Sequence, residues 1–220
     1  MSEPDAKTPR ERYRTQVREE VKQHAWEQIA TAGASALSLN AIAKQMGMSG
    51  PALYRYFANR DELISELIRD AYRSLADAFH ARAAAGADLG GLARALRTWA
   101  LADPQRYLLV YGTPVPGYQA PEDTTRITTE IMAVLLDACA AEKPSAVPPS
   151  PVEAHLEEHL DEHRAWAARH PVPPAVLHRA LTFWTRLHGM LSLELSGHFT
   201  GMGFDPALLY TAEAEALTSR

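Results

Sequence analysis

The chain has 220 residues, enough for one ordinary domain or two small ones, and its 46% content of hydrophobic residues is enough for a buried core. No run of 18 uncharged apolar residues occurs, and the polar start of the chain has no apolar signal region, so we expect neither a membrane span nor a secretory signal. Residues 1–60 carry nine Lys/Arg and six Asp/Glu, a net charge of +3, whereas the rest carries −8. A basic end on an acidic body is typical of a protein that contacts a polyanion with one end only.

The first predicted element is a helix over residues 12–32, after a stretch at 1–11 that we expect to be disordered. Its apolar residues recur at every fourth position, and Gly33 ends it. Arg10, Arg12 and Arg14 lie at its start. They are interpreted either as an arm that reaches a phosphate or the minor groove, or as a solvated tail.

Two short helices are predicted next, over roughly 38–46 and 50–57, with Gly47 at the turn between them. Ser38 and Ser49 are suitable N-caps, and Pro51 falls in a first helical turn, where its missing N–H is harmless. Two short helices that pack across a Gly turn and leave aromatic and basic side chains outside form a helix-turn-helix. No Asp or Glu occurs between residues 28 and 60, whereas Lys44, Arg55 and Arg60 do. An ordinary helical hairpin with solvated basic residues would show the same charges, but the full spacing favours DNA binding.

The remaining periodicity predicts only helices, so the predicted fold class is all-α, with a DNA-binding domain at 1–60 and a ligand-binding and dimerisation domain at 61–220. Asn59 is the expected cap of the longest helix. The predicted helices cover about residues 60–85, 91–102, 104–111, 122–141, 152–169, 175–199 and 206–217. The single cysteine, Cys139, lies in an apolar run and is interpreted as a buried small residue. Without a disulfide, we expect the protein to be cytoplasmic.

The helix-turn-helix and its flanks resemble the TetR family of transcriptional regulators over about residues 12–75. The residues at the family's spacing are Gly33, Ser38, Ile42, Ala43, Gly47, Ser49, Leu53, Tyr54, Phe57, Arg60 and Leu63. The resemblance implies a small N-terminal domain of three helices on a larger helical bundle, and it implies a homodimer. With the basic residues, it gives a set of expected DNA contacts: Ser38, Lys44, Gly50, Pro51, Tyr54, Arg55, Tyr56 and Arg60. Gly50 departs from family members that read bases with a side chain at this position.

A stripe of small residues follows near the end of the chain, at Gly189, Ser192, Ser196 and Thr200. Such a stripe permits close helix contact, either within one subunit or across a two-fold axis, and we favour the subunit interface. Trp184, His188 and Gly189 also resemble a C-terminal class of TetR-like regulators named after a Trp-His-Gly signature. That resemblance implies a dimer formed by a four-helix bundle of the last two long helices.

A ligand pocket is predicted in the larger domain, because large amphipathic side chains flank helix breaks and bundle interiors often hold small molecules. Core packing is the alternative for each residue taken alone. The predicted lining is Trp99, Tyr107, Tyr111, Phe183, Trp184 and His188. Glu194 stands alone in an apolar run and needs a partner, for which His198 is the nearest candidate in sequence.

Residues 155–163 contain two overlapping H-x-x-E-H patterns, at His155 and His159, which suggest a zinc hydrolase as an alternative. A solvated amphipathic face, with Val152, Leu156 and Leu160 directed inward, accounts for the pattern without a metal. We therefore expect no catalytic residues, no metal and no cofactor. The sequence favours a homodimeric repressor that a small, largely apolar ligand releases from DNA, with a regulator that needs no effector as a further alternative.

Overall fold

The computed structural model describes residues 8–112, 118, 121–144, 147–167 and 170–218, and every regular element among them is helical. Ten α-helices are numbered in chain order. They are α1 Pro9–Ala32, α2 Leu39–Gln45, α3 Gly50–Leu53, α4 Arg60–Ala84, α5 Leu89–Ala102, α6 Pro104–Tyr111, α7 Glu122–Ala141, α8 Pro151–Glu162, α9 Pro174–Leu195 and α10 Pro206–Thr218. Short 3₁₀ turns cover Ala34–Ala36 and Arg164–Ala167. None of the described helices is long and apolar enough to cross a membrane.

The chain folds into two compact units, and the boundary between them falls within α4. The N-terminal unit runs to Ile68, and the second unit begins at Arg69. The predicted all-α fold is confirmed, because every regular element of the described residues is helical. The assignment of DNA binding to residues 1–60 and of ligand binding and dimerisation to residues 61–220 stays a prediction.

The first helix begins three residues earlier than predicted because Thr8 caps it. The Thr8 hydroxyl accepts from the backbone N–H of Glu11 at 3.3 Å, and the Glu11 carboxylate accepts from the backbone N–H of Thr8 at 2.7 Å. Arg10, Arg12 and Arg14 consequently lie on an exposed helix rather than on an extended arm. The expectation of disorder was wrong for residues 8–11, and residues 1–7 lie outside the described part of the chain.

The helix-turn-helix forms as predicted, but its second helix is shorter. Gly47 adopts φ +64° after α2, a left-handed conformation that glycine adopts without strain, and the N–H of Met48 donates to the carbonyl of Ala43 at 2.8 Å. α3 is a single turn that ends at Leu53, after which the N–H of Tyr56 donates to the carbonyl of Leu53 at 2.8 Å. This tighter winding still buries both Leu53 and Phe57 completely.

The second unit is built around α9, which packs against α7, α8 and α10. α9 ends at Leu195, before the predicted residue 199, because Gly197 turns the chain with φ +78° and the N–H of His198 donates to the carbonyl of Leu193 at 2.9 Å. Among the predicted interface residues, Thr200 therefore lies beyond the helix. Cys139 is buried as predicted, and desolvation raises the pKa of its thiol to about 12.

Candidate functional site

Four of the residues predicted to contact DNA are exposed around the helix-turn-helix, and we call them the reader surface: Lys44, Pro51, Tyr54 and Arg55. The Tyr54 side chain has 44% of its surface exposed although its helix neighbour Leu53 is fully buried. Ser38, Gly50 and Tyr56, which were also predicted to contact DNA, are half-buried at its edges. The predicted contact residues thus occupy one end of this unit, with two basic groups and one phenol free to meet a polyanion.

Of the half-buried residues, Ser38 has a structural role of its own. The Ser38 hydroxyl accepts from the N–H of Ala41 at 3.3 Å and so caps α2. A Cβ atom on Gly50 would lie 3.3 Å from Oδ1 of Asn40, an exposed side chain that would have to move by a few tenths of an ångström.

The position of the reader surface is fixed by Arg18 of α1, which the sequence analysis did not single out. Its guanidinium carbon lies 4.1 Å from the centre of the Phe57 ring, and it donates to the carbonyl of Tyr56 and to the carboxylate of Glu66. One side chain therefore connects α1, the turn after α3, and α4. Arg18 and Tyr56 are 38 positions apart in the chain, which is beyond the reach of any local pattern, so no sequence signal could have found this contact.

Arg60, the predicted phosphate ligand, has a partner within the protein. Its Nη2 donates to the carbonyl of Ala34 at 2.7 Å, and its Nη1 lies 3.4 Å from the Asp61 carboxylate. The side chain therefore ties the 3₁₀ turn to the start of α4. A phosphate contact by Arg60 stays a prediction, and it would use the remaining donors of the guanidinium group.

Replacing Tyr54 by phenylalanine should weaken operator binding by about 1 kcal/mol, the usual contribution of one hydrogen bond. The exposed hydroxyl is the only group removed, so folding should be unaffected. Fluorescence anisotropy on an operator selected from random DNA measures the change, and Tyr13→Phe, at an exposed position on α1, serves as the control. Equal affinity of wild type and Tyr54→Phe would remove this hydroxyl from the contact surface.

The second unit contains an aromatic cluster formed by α4, α5, α6 and α9. The Tyr111 ring is central, since its centre lies 4.2 Å from that of His188, 5.9 Å from that of Tyr72 and 6.0 Å from that of Trp184. Trp99 completes the cluster at 6.5 Å from Tyr111. The members are Tyr72, Trp99, Tyr107, Tyr111, Trp184 and His188.

Five of the six residues predicted to line a pocket thus come together, and Tyr72 joins them although the sequence analysis missed it. Phe183 is fully buried, but it precedes Trp184 on α9 and its side chain leaves the helix at a different angle. The aromatic character of Tyr72 was visible in the sequence. Its position in the cluster could not be predicted, because Tyr72 lies on the long helix α4 and the other cluster residues come from helices distant in the sequence.

Hydrogen bonds within the cluster converge on the Tyr107 hydroxyl. This hydroxyl donates to the carbonyl of His188 at 2.9 Å and lies 3.2 Å from Nδ1 of the same residue. The Ser192 hydroxyl lies 2.9 Å away on the next turn of α9. Ser192, predicted at the subunit interface, is therefore in contact with the cluster.

Two polar atoms of the cluster are buried without a hydrogen-bond partner in the described part of the chain: Nε2 of His188 and the hydroxyl of Tyr111. His188 is only 8% exposed, and desolvation lowers its pKa to about 3, so its imidazole is neutral near pH 7. Desolvation also raises the pKa of Tyr111 well above its ordinary value. Both groups are neutral, and each lacks the hydrogen bond that a buried polar atom requires.

Glu194 has a different partner from the one suggested by sequence. Its carboxylate accepts two hydrogen bonds from Arg97 of α5, at 2.5 Å and 2.8 Å, whereas His198 lies beyond the end of α9. The suggestion of His198 was wrong because the helix ends at Leu195, so the spacing of four residues no longer applies. Arg97 also lies over the ring of Tyr210, 5.1 Å from its centre.

The histidine row, formed by His155, His159 and His163 on α8 and at its C-terminal end, is exposed. Side chains of His159, Glu162 and His163 offer ligand atoms within 4.8 Å of one another, while Nδ1 of His155 lies 3.9 Å from the Glu158 carboxylate. Val152 and Leu156 are exposed rather than directed inward, and only Leu160 of the three predicted inner residues is buried. The expected inner face was therefore wrong for two residues, because α8 packs through its C-terminal part.

The α9–α10 region also presents an exposed apolar face. Gly189 and Ser196 are exposed, and a Cβ atom on Gly189 would meet nothing within 4 Å. Other large apolar side chains exposed in this region are Leu193, Met202, Phe204, Leu208 and Leu209. Exposed apolar surface of this kind is a common feature of subunit interfaces.

Two family models match the chain. Residues 89–217 match the tetracyclin repressor-like C-terminal domain, and residues 23–67 match the bacterial regulatory proteins of the tetR family. The chain belongs to the TetR family of DNA-binding transcriptional regulators. The family is one of regulators rather than enzymes, which agrees with the helix-turn-helix and with the exposed position of the histidine row.

Relatives agree with this assignment. The chain is 34% identical to the HTH-type transcriptional regulator Rv1816 of Mycobacterium tuberculosis over 94% of this chain and 92% of that protein. A protein whose crystal structure is described as that of regulatory protein SCO4313 shares 68% sequence identity with this chain. The two structures have a TM-score of 0.87 over 97% of this chain and 100% of that one. The regulator FadR of Bacillus subtilis, solved in complex with stearoyl-CoA, shares the fold at 15% identity and a TM-score of 0.55, over 91% of this chain and 97% of FadR.

Proposed function

We propose that this TetR-family regulator is a homodimeric repressor that leaves its operator when a small, largely apolar molecule binds in the aromatic cluster. The observation that carries the proposal is the pair of buried, unpartnered polar atoms within an otherwise apolar cluster of the second unit. An unsatisfied buried polar group costs about 1–3 kcal/mol, a penalty that a bound molecule with the right polar group removes. The regulator FadR of Bacillus subtilis, which shares the fold, was solved in complex with stearoyl-CoA, a molecule with a long apolar chain.

The DNA contacts are proposed to come from the reader surface, supported at its edge by Ser38, Gly50 and Tyr56, with Arg60 on a neighbouring phosphate. Lys44 and Arg55 supply charge, and Tyr54 supplies a phenol for a phosphate oxygen. One short recognition helix reads few base pairs. A second copy related by a two-fold axis doubles the contacts and binds half-sites about one helical turn apart.

The dimer is proposed to form through the exposed apolar face of α9 and α10, with Gly189 and Ser196 allowing close approach. The combination of Trp184, His188 and Gly189 supports the finer assignment to the Trp-His-Gly class. An isologous interface on these helices would place two α9 and two α10 helices in a four-helix bundle. Thr200 and the exposed leucines would lie at its edge.

Release from DNA is proposed to be a shift between two conformations that differ in the spacing of the two reader surfaces. A ligand can change this equilibrium only through its different affinity for the two conformations. Helix α4 belongs to both units of the chain and passes Tyr72 of the cluster, so it is the element through which the shift would act.

Replacing Trp184 by alanine should abolish the response to the effector while leaving DNA binding without ligand intact. Trp184 is half-buried and lies 4.2 Å from the His188 ring, so its removal opens one wall of the cluster. The test measures operator affinity with and without compounds that quench tryptophan fluorescence in the wild type. Trp26→Phe, on α1, is the matched control. An unchanged midpoint of release in Trp184→Ala would place the effector elsewhere.

A further inference from the structure

The hydrogen-bond geometry of the aromatic cluster restricts the chemistry of its ligand. A tyrosine hydroxyl has one proton to donate and two lone pairs to accept with. The carbonyl of His188, 2.9 Å from the Tyr107 hydroxyl, can only accept, so it takes the single proton. The two other neighbours of that hydroxyl, Nδ1 of His188 and the Ser192 hydroxyl, must then donate.

This arrangement determines the tautomer of His188. A neutral imidazole carries one N–H, and the contact with Tyr107 places it on Nδ1, so Nε2 has a lone pair and no proton. That atom is buried and has no partner in the described part of the chain. The cluster therefore offers one hydrogen-bond acceptor to a ligand.

The Tyr111 hydroxyl supplies the complementary group. It is buried, it has no partner among the described residues, and its ring centre lies 4.2 Å from that of His188. A phenol held neutral by burial keeps its proton, so its hydroxyl can donate a hydrogen bond as well as accept one. The cluster thus places one acceptor and one donor on adjacent rings, surrounded by Tyr72, Trp99 and Trp184.

The two arginines beside the cluster each lie near a carboxylate. Arg97 is paired with Glu194, and Arg106, whose guanidinium lies 5.5 Å from the centre of the Trp99 ring, is 3.4 Å from the Asp103 carboxylate, although its buried Nε has no hydrogen-bond partner among the described residues. A cationic ligand would therefore bring an uncompensated charge into the site, which is costly. A carboxylate would direct only acceptor atoms at the lone pair of His188.

We infer that the effector is an uncharged alcohol or phenol, whose hydroxyl donates to Nε2 of His188 and accepts from the hydroxyl of Tyr111. A single hydroxyl group bound between these two adjacent rings would satisfy both unpartnered atoms, and the hydrocarbon part would pack on the surrounding rings. This inference rests on the proposed function only in naming the molecule an effector, since the binding chemistry stands on the cluster alone.

The test uses four octyl compounds that differ only in their polar group: 1-octanol, 1-methoxyoctane, octanoate and octylammonium. Binding to the full-length protein is followed by tryptophan fluorescence, and operator affinity is measured in parallel. 1-Octanol should bind at least tenfold more tightly than 1-methoxyoctane, which lacks the donor, and than either ion. Equal binding of the alcohol and the ether, tighter binding of an ion, or binding of none of the four would overturn the inference.

Two tyrosine variants separate ligand recognition from folding. Tyr111→Phe removes an unpartnered hydroxyl, so its thermal midpoint should be unchanged or raised, while the preference for 1-octanol over the ether should fall several-fold. Tyr210→Phe removes a hydroxyl that donates to the carbonyl of Ala93 at 2.9 Å. That control should lower the thermal midpoint and keep the preference. A Tyr111→Phe protein with an undiminished preference would remove Tyr111 from the site.

The two proposals fail in different ways. If 1-octanol binds with the expected preference but leaves operator affinity unchanged, the site is correct and release by this ligand class is wrong. If octanoate or octylammonium releases the operator and 1-octanol does not, the regulatory function holds and the inferred ligand class is wrong.

Discussion

Replacing Gly189 by leucine is expected to convert the protein from a dimer to a monomer and to abolish tight operator binding. Within one subunit a Cβ atom at this exposed position meets nothing within 4 Å, so we expect the fold to accommodate a larger side chain. Leucine in place of glycine within a helix should even stabilise the subunit by about 1 kcal/mol. Against a second copy of α9, the added volume should cost about 1–3 kcal/mol, and two-fold symmetry applies it twice.

Sedimentation velocity measures the assembly, and chemical denaturation reports whether the subunit itself is folded. Ala140→Leu, which adds an apolar side chain at an exposed position of α7, is the control and should remain dimeric. Ser196→Leu should behave like Gly189→Leu, since Ser196 is exposed on the same face. If both α9 variants are still dimers, the interface lies on another surface of the molecule.

Replacing Arg97 by alanine should lower the free energy of unfolding by about 1–3 kcal/mol, between the usual effects of breaking a surface ion pair and a buried one. The side chains of Arg97 and Glu194 are only 16% and 17% exposed, and two hydrogen bonds join them. Removing the guanidinium group leaves a carboxylate with little access to water. It also removes the cation above the Tyr210 ring, so the packing of α5, α9 and α10 is weakened at one point.

The urea midpoint of unfolding tests this expectation. The double variant Arg97→Met, Glu194→Leu should recover most of the lost stability, because apolar residues of similar volume remove both desolvated charges. A loss below about 1 kcal/mol in Arg97→Ala would mean that the pair is effectively solvated, as surface pairs are. Glu194→Gln should fall between the wild type and Arg97→Ala.

Local signals predicted a helix well where its capping residue lies within four residues of the first buried apolar side chain. Asn59 caps α4 as expected, with its side-chain oxygen accepting from the N–H of Glu62 at 2.8 Å. The turn at Gly47 and the burial of Leu53 and Phe57 follow from the same short-range pattern. The start of α1 also has a local signal, since Thr8 and Glu11 form a capping box whose spacing is present in the sequence.

The candidate site was predictable in composition but not in contacts. Aromatic residues on either side of helix breaks predicted the cluster, and five of six expected members are in it. The chain distance from Tyr107 to His188 is 81 residues, and that from Arg97 to Glu194 is 97. No spacing rule connects such positions, so the partner of Glu194 was assigned to the nearest histidine, which was wrong.

The sequence by itself determined the all-α fold, the helix-turn-helix and the family, because caps, turns and apolar periods act over a few residues and are written directly in the chain. Tertiary structure alone decided which polar groups find partners. It pairs Arg97 with Glu194 and Arg18 with Glu66, and it leaves Nε2 of His188 and the Tyr111 hydroxyl buried without a partner among the residues that the structure describes. Hydrogen bonding between helices depends on their packed positions, and these positions arise from the burial of side chains throughout the unit rather than from any local pattern.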